Sequence, residues 1–273
     1  MTFPFASKNG ALIPYAEAAV PVTNIAYAYG FGVYESLRVT DNVVFFLDQH
    51  INRLITSAEM IGLAHPFSPE TISQSLRTLV TKTLGTYNVK ILLIGAARPE
   101  DVLLFMLPSA PLFPDRKLYR DGATAITVHG RRPFPKAKTL NMLTSHLAYT
   151  KAREVGCYDA LLVNEKDEII EGTRCNFFAI RGRTIVSPPN AEILDGVTRD
   201  IVLALARQHN FAVEEHPINK DTLSEYDGAF LTSTSGKVLP LRTIDDFSFP
   251  GIPTTIHELV KIYDDFLKNY HNP

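Results

Sequence analysis

The sequence predicts a mixed α+β protein of two domains. Strand-like segments come both in succession and alternating with amphipathic helical stretches. A proline-rich passage at residues 107–118 interrupts that pattern. The 273 residues are enough for one large domain or two smaller ones, each with its own core. No Gly-x-Gly-x-x-Gly follows a strand, so a doubly wound dinucleotide fold is not expected.

The elements follow in order. Val33–Thr40 and Val43–Phe46 flank Asp41-Asn42, a turn dipeptide, and read as a hairpin. A helix is predicted from Asp48 to Leu63, with Ile51, Leu54, Ile55, Ala58 and Ile61 on one face. A second begins at Ser68-Pro69, where Ser68 suits the N-cap and Pro69 the first helical position. Strands follow at Val89–Ala96 and Val102–Met106. Three prolines in 107–118 break both helix and central strand. Residues 113–119 are therefore expected to link a domain at 1–112 to one at 120–273. The second domain opens with a strand at Ala123–Gly130 and a helix at Leu143–Val155. Strands are expected at Ala160–Asn164, Glu168–Ile170, Asn176–Ile180 and Thr184–Ser187. Gly196-Val197-Thr198 opens a helix with Ile201, Ala204 and Leu205 inward. Strands at Ala212–His216 and Ala229–Thr232 and a helix at Thr254–Lys268 complete the chain.

Composition excludes several functions. Hydrophobic residues make up 45% and charged residues 21%, which is not the profile of a disordered chain. Lys plus Arg number 27 and Asp plus Glu 29, so there is no basic footprint for nucleic acid or an anionic membrane. No segment reaches the ~18 apolar residues of a membrane span. The N-terminus lacks a basic leader followed by an apolar run, so the cytoplasm is the expected location. The two cysteines, Cys157 and Cys175, fit a reducing compartment better than a disulfide framework. Phosphate-loop, Gly-x-Ser-x-Gly and metal-ligand motifs are absent, and no metal is expected.

Four segments carry a chemical signal as a set. Arg53, in His50-Ile51-Asn52-Arg53, lies opposite Ile51 on its helix, where a solvated arginine is the plain alternative. Lys138, between a strand and a helix and near Ala137 and Leu140, is a candidate amine nucleophile or else a surface lysine. Glu171 follows an apolar strand and precedes a glycine; it either points inward, paired or hydrogen-bonded, or ends a strand in a turn. Asp195-Gly196-Val197-Thr198 puts N–H groups and a hydroxyl at a helix start, and Thr232-Ser233-Thr234-Ser235-Gly236 adds four hydroxyls. An amine, a carboxylate, an arginine and two donor clusters meet the needs of pyridoxal phosphate. Its aldehyde takes a lysine, its pyridine nitrogen an anion and its phosphate the donors.

The chain resembles the class IV aminotransferases, the fold-type IV pyridoxal phosphate enzymes. The likeness runs from Tyr29-Gly30-Phe31-Gly32-Val33-Tyr34-Glu35-Ser36-Leu37-Arg38 to Leu239-Pro240-Leu241-Arg242. Its strongest motif is Glu171-Gly172 with Asn176-Phe177, followed by Leu194-Asp195-Gly196-Val197-Thr198-Arg199-Asp200. The resemblance implies a D-amino acid aminotransferase-like architecture, with a smaller N-terminal α/β domain and a larger barrel-like C-terminal one. It implies pyridoxal 5′-phosphate as cofactor, Lys138 as its Schiff-base lysine, Glu171 facing the ring nitrogen, and Arg53, Val197, Thr198, Thr234 and Ser235 on the phosphate. Arg131 falls where some members place an arginine near the ring hydroxyl. The implied activity is ping-pong transfer of an amino group from an amino acid to a 2-keto acid, by a homodimer.

D-amino acids are the expected donors. The Val33-Tyr34-Glu35 and Gly156-Cys157-Tyr158-Asp159-Ala160 runs look closest to D-amino acid aminotransferases. Met142 stands where branched-chain members commonly carry tyrosine, and Glu35 favours transamination over the aminodeoxychorismate lyase branch. Branched-chain L-amino acid, (R)-amine and lyase activities are the alternatives. The arginine–histidine pair of D-amino acid enzymes is not reproduced, so Tyr34, Arg98 and Lys237 are the expected substrate contacts.

Overall fold

The computed structural model describes residues 3–271. The chain divides into two compact units. One holds the residues up to Leu112 together with Ala137–Met142 and His271; the other holds Phe113–Lys136 and Leu143–Tyr270. The expectation of a contiguous 120–273 domain is thereby corrected at His271 and at Ala137–Met142, the latter bridging by backbone to the first unit's sheet.

The first unit is built on a six-stranded sheet in the order β2-β1-β6-β5-β3-β4. The strands are β1 (Phe5–Lys8), β2 (Ala11–Pro14), β3 (Gly32–Thr40), β4 (Val43–Val44), β5 (Thr86–Ile94) and β6 (Leu103–Ser109). The helices are α1 (Ile25–Ala28), α2 (Leu47–Met60) and α3 (Pro69–Val80). Along β3, Val33, Glu35, Leu37 and Val39 are buried while Tyr34, Ser36, Arg38 and Thr40 are half-buried. The period-two pattern sets the inward row under α2 and α3, where Leu54, Ala58, Ile72, Leu76 and Leu79 complete the core. Asp41 and Asn42 take φ of 47° and 67°, the left-handed pair that a two-residue hairpin turn demands. Ser68 caps α3 as expected, its side chain accepting from the Thr71 N–H.

The second unit carries a nine-stranded sheet. Its strands are β7 (Ala123–His129), β8 (Asp159–Val163), β9 (Ile169–Gly172), β10 (Asn176–Arg181), β11 (Thr184–Ser187), β12 (Ala212–Glu215), β13 (Gly228–Ser233), β14 (Lys237–Ile244) and β15 (Phe247–Ser248). Its helices are α4 (Arg116–Asp121), α5 (Leu143–Glu154), α6 (Val197–Gln208) and α7 (Thr254–Lys268). Strand β9 pairs with both β8 and β10, so β10-β13-β14-β7-β8-β9 closes into a ring. Alternate residues fill one core: Ala123 and Ala125, Leu161 and Val163, Phe177 and Ala179, Ala229 and Leu231, Leu239 and Leu241. The intervening Phe178, Ile180, Phe230 and Val238 pack with residues of α6 and α7, and Ala160 and Leu162 with α5.

Three expectations are corrected. Residues 107–118 are not without regular structure: β6 runs through Pro108 to Ser109, and α4 starts at Arg116, inside the expected linker, capped by Asp115. Pro108 is tolerated because β1 reaches only Phe105 and Met106, so no neighbour on that side asks for its N–H. Pro240 lies within β14, a strand not foreseen; it pairs with Phe230, and pairing to β7 begins only at Leu241. In α6 the inner face is Val202, Leu203, Leu205 and Ala206, while Ala204 is exposed.

Candidate active site

In the first unit the backbone around Lys138 is fastened on three sides. The Lys138 N–H donates to Ser57 Oγ (3.1 Å), its carbonyl accepts from the Tyr34 N–H (2.9 Å), and the Leu140 N–H donates to the Gly32 carbonyl (2.8 Å). The approach depends on Gly32, where a Cβ would stand 2.6 Å from the Leu93 carbonyl oxygen. The Lys138 amine sits 4.6 Å from the Tyr34 ring centroid, and the Lys90 amine 5.3 Å from the same centroid. Two cations therefore share one aromatic ring.

Behind this face lies a trio of ionisable side chains, Glu35 and His50 buried and Arg53 half-buried. Glu35 is the one polar member of the inward row of β3 and is fully buried. Arg53 Nε donates to Glu35 Oε1 (2.6 Å) and Nη2 to Oε2 (2.8 Å), a fork-on-fork pair. His50 Nδ1 lies 2.7 Å from Glu35 Oε2. Burial would push Glu35 upward, but Arg53 and His50 beside it hold its carboxyl well below the usual range. His50 is pulled below its usual value, chiefly by burial, with the Glu35 carboxylate opposing and Arg53 and Lys138 adding to the fall. Arg53 is thus a half-buried, oriented guanidinium and not a solvated one.

In the second unit Glu171 is 4% exposed. Arg132 Nε donates to its Oε1 (2.7 Å) and the Leu194 N–H to its Oε2 (3.3 Å). Arg132 Nη2 also holds the Pro135 carbonyl (2.6 Å). Asn176, directly across the ladder from Glu171, donates to the Leu194 carbonyl (2.8 Å). Gly196, the N-cap of α6, lies so close to Asn176 that a Cβ would collide with Oδ1. Among the described residues no side chain caps α6, and Val197 and Thr198 are buried at its first turn. Lys136 bonds Asp195 (2.5 Å) and the Asn190 carbonyl (2.7 Å), fixing the approach to that turn.

Thr234 and Ser235 lie in the tight turn between β13 and β14. Three sequence candidates are placed elsewhere than expected. Arg131 is exposed and faces Glu165 at 3.9 Å, and it is the neighbouring Arg132 that reaches Glu171. Lys237 pairs with Asp264 of α7 (2.5 Å), with its backbone left-handed at φ 54°. Arg98 is exposed and closes onto Asp101 (2.8 Å) and Glu100 (3.5 Å) in its own turn. The sequence does not single out Arg132, and it does not show that Glu35 and His50 pair with Arg53. Glu35 carried a usable signal, since a carboxylate inside the row Val33, Leu37, Val39 must find a buried cation. Nothing in Arg131-Arg132 says which of the two turns inward.

The donor set fits pyridoxal phosphate. An uncapped helix start suits a phosphate, and Thr232 Oγ1, across the ladder from Asn176, is buried without a partner among the described residues. In the second unit, a carboxylate held by Arg132 and a backbone N–H is suited to a pyridinium nitrogen. Among the described residues no cluster of three His, Cys, Asp or Glu could hold a metal, and no helix is long and apolar enough to cross a membrane.

Residues 32–244 match the family model for amino-transferase class IV. A Methanocaldococcus jannaschii protein, provisionally named a branched-chain-amino-acid aminotransferase, is 33% identical over 87% of this chain and 86% of its own. The D-alanine aminotransferase of Bacillus licheniformis is 31% identical over 87% of each chain. Among solved structures, a branched-chain amino acid aminotransferase from T.th. with pyridoxamine 5′-phosphate superposes with a TM-score of 0.90 at 25% identity, covering 97% of this chain and 94% of that one. The Thermoproteus uzoniensis branched-chain aminotransferase with norvaline gives 0.86 at 26%, covering 96% and 94%. The family match, the relatives and the fold agree: the chain belongs to the class IV aminotransferases, enzymes that use pyridoxal 5′-phosphate.

Proposed function

We propose that this enzyme moves an amino group from an α-amino acid to a 2-keto acid by a ping-pong mechanism, with D-amino acids as favoured donors. The observation that carries the reading is Lys138, an amine whose backbone is fixed on three sides and whose side chain rests on Tyr34. When bound, the cofactor supplies an aldehyde and an electron-withdrawing ring. Lys138 holds the cofactor and then moves the proton at the substrate α-carbon. Glu171, oriented by Arg132, faces the ring nitrogen and favours its protonated form. The N–H groups of Val197 and Thr198, the hydroxyls of Thr234 and Ser235, and Arg53 as oriented by Glu35 take the phosphate.

Arg98 and Lys237 are occupied by carboxylates of their own, which removes the support for either as the substrate's cation. Lys90 makes no ion pair among the described residues and shares the Tyr34 ring with Lys138, so it receives the substrate carboxylate in this reading. The D-preference is supported by the Val33-Tyr34-Glu35 and Gly156–Ala160 runs and by the D-alanine relative. A branched-chain L-amino acid activity is the second reading, favoured by the two branched-chain aminotransferase structures described above. The same reading includes a homodimer and a cytoplasmic location, the first tested by solution mass. Mixing holoenzyme with single D- and L-amino acids and recording loss of the visible cofactor band decides the donor. Fast bleaching by D-alanine or D-glutamate is expected; bleaching by L-valine or L-leucine alone would replace the leading reading with the second.

A further inference from the structure

Glu171 and Asn176 face each other across a reversal of four residues, 172–175. Directly beneath that reversal lies Asp159, the first residue of β8 and 2% exposed. Its Oδ1 accepts from Thr173 Oγ1 (2.5 Å) and from the Ala160 N–H (2.9 Å), and its Oδ2 accepts from the Cys175 thiol (3.2 Å). The Thr173 N–H adds a bond to the Ala160 carbonyl (3.1 Å). Gly172 completes the fit, since a Cβ there would meet Cys175 Sγ and lie 3.0 Å from Asp159 Oδ2. One carboxylate thus ties both polar side chains of the reversal that are turned toward β8. Burial pushes Asp159 above its ordinary range, and the bonds from Thr173 and Cys175 only partly offset this. A carboxylate in so dry a place costs free energy that an apolar residue would not.

Each end of the reversal holds one group of the site. Glu171 is gripped by Arg132 and the Leu194 N–H; Asn176 holds the Leu194 carbonyl and abuts Gly196 at the start of α6. A shift of the reversal moves both. We propose that Asp159 is a positioning residue for the cofactor, setting through Thr173 and Cys175 the carboxylate of Glu171 and the Asn176–Gly196 contact that shapes the phosphate turn. Asp159 itself touches neither cofactor nor substrate. This inference rests on the assignment of Glu171 and α6 to pyridoxal 5′-phosphate made above.

The test uses full-length protein freed of cofactor and titrated with pyridoxal 5′-phosphate. It reads the dissociation constant, the pH midpoint of the visible band and the melting temperature without cofactor. Unmodified protein that acquires no visible band overturns the cofactor assignment and this proposal together. Given that band, Asp159→Asn and Thr173→Val are each expected to weaken binding about tenfold and to move the pH midpoint. Thr173→Ser, which keeps the hydroxyl, restores both. If Asp159→Asn does not fold, the Thr173→Val and Thr173→Ser pair decides alone. Variants that melt earlier yet keep the parental dissociation constant and pH midpoint would reduce Asp159 to a clamp of the fold and end the proposal while leaving the cofactor reading intact.

Discussion

Lys138 and Tyr34 are joined twice: the Tyr34 N–H donates to the Lys138 carbonyl at 2.9 Å, and the Lys138 amine lies 4.6 Å from the Tyr34 ring centroid. The backbone bond fixes where the lysine leaves the chain, and the ring fixes where its amine ends. Such double fixation restricts a side chain that is otherwise rich in rotamers.

On the proposed function, Lys138 is the residue that would tether the cofactor. Borohydride reduction of holoenzyme followed by peptide mass analysis is expected to find the adduct on Lys138. Lys138→Ala should lower turnover by about 10³-fold or more. Parental turnover in that variant, or an adduct on Lys136, would refute the assignment.

The trio of Glu35, His50 and Arg53 makes stability fall with acid. Folded His50 titrates below 6.5, so between its folded value and 6.5 the unfolded chain binds more protons, and its contribution is complete only above 6.5. Glu35, held well below 4.5, adds a contribution that is present above that pH and lost beneath it. Melting temperature of the cofactor-free protein should therefore decline once pH drops under 6.5 and decline further under 4.5. His50→Gln should flatten the upper part. Glu35→Ala, which strands the Arg53 charge, should cost about 3–5 kcal/mol in a denaturant titration.

Neighbouring arginines should behave differently. Arg131→Ala removes an exposed charge and should change stability by less than about 0.5 kcal/mol. Arg132→Ala leaves the Glu171 carboxylate without its guanidinium and should cost about 3 kcal/mol. Equal effects in parallel urea melts would contradict the placement.

Steady-state kinetics separate the three candidate carboxylate receptors. Lys90→Gln should raise KM for amino acids about tenfold and leave KM for simple amines alone. Lys237→Ala and Arg98→Ala should leave both unchanged, because each cation is already matched by a local carboxylate. A raised KM confined to Lys237→Ala would reverse the order of the candidates.

Much of this was legible from the residues. The Ser68 cap, the Asp41-Asn42 turn and the helix at Thr254–Lys268 follow from local chemistry, and each is present. What stayed hidden depends on partners distant in sequence. Pro108 reads as a strand breaker, yet it occupies a strand position where β1 does not pair on one side, and Pro240 likewise precedes the pairing of β14 to β7. Which strand neighbours which is not encoded within eight residues. The same holds for the site. Glu171 and Lys138 stand out through their motifs, whereas Arg132 differs from Arg131 only in which way the chain turns at Pro133. Lys237 looked available because Asp264, its counter-ion, is 27 positions away.

Residues 137–142 belong by packing to one unit and by position in the gene to the span that encodes the other. Recombination between relatives at a single crossover near residue 112 would give a chimaera whose lysine segment and whose β3 come from different parents. Only an exchange that carries the hexapeptide along with the first 112 residues keeps that inherited pairing whole, so natural mosaics of this family should avoid the simpler cut.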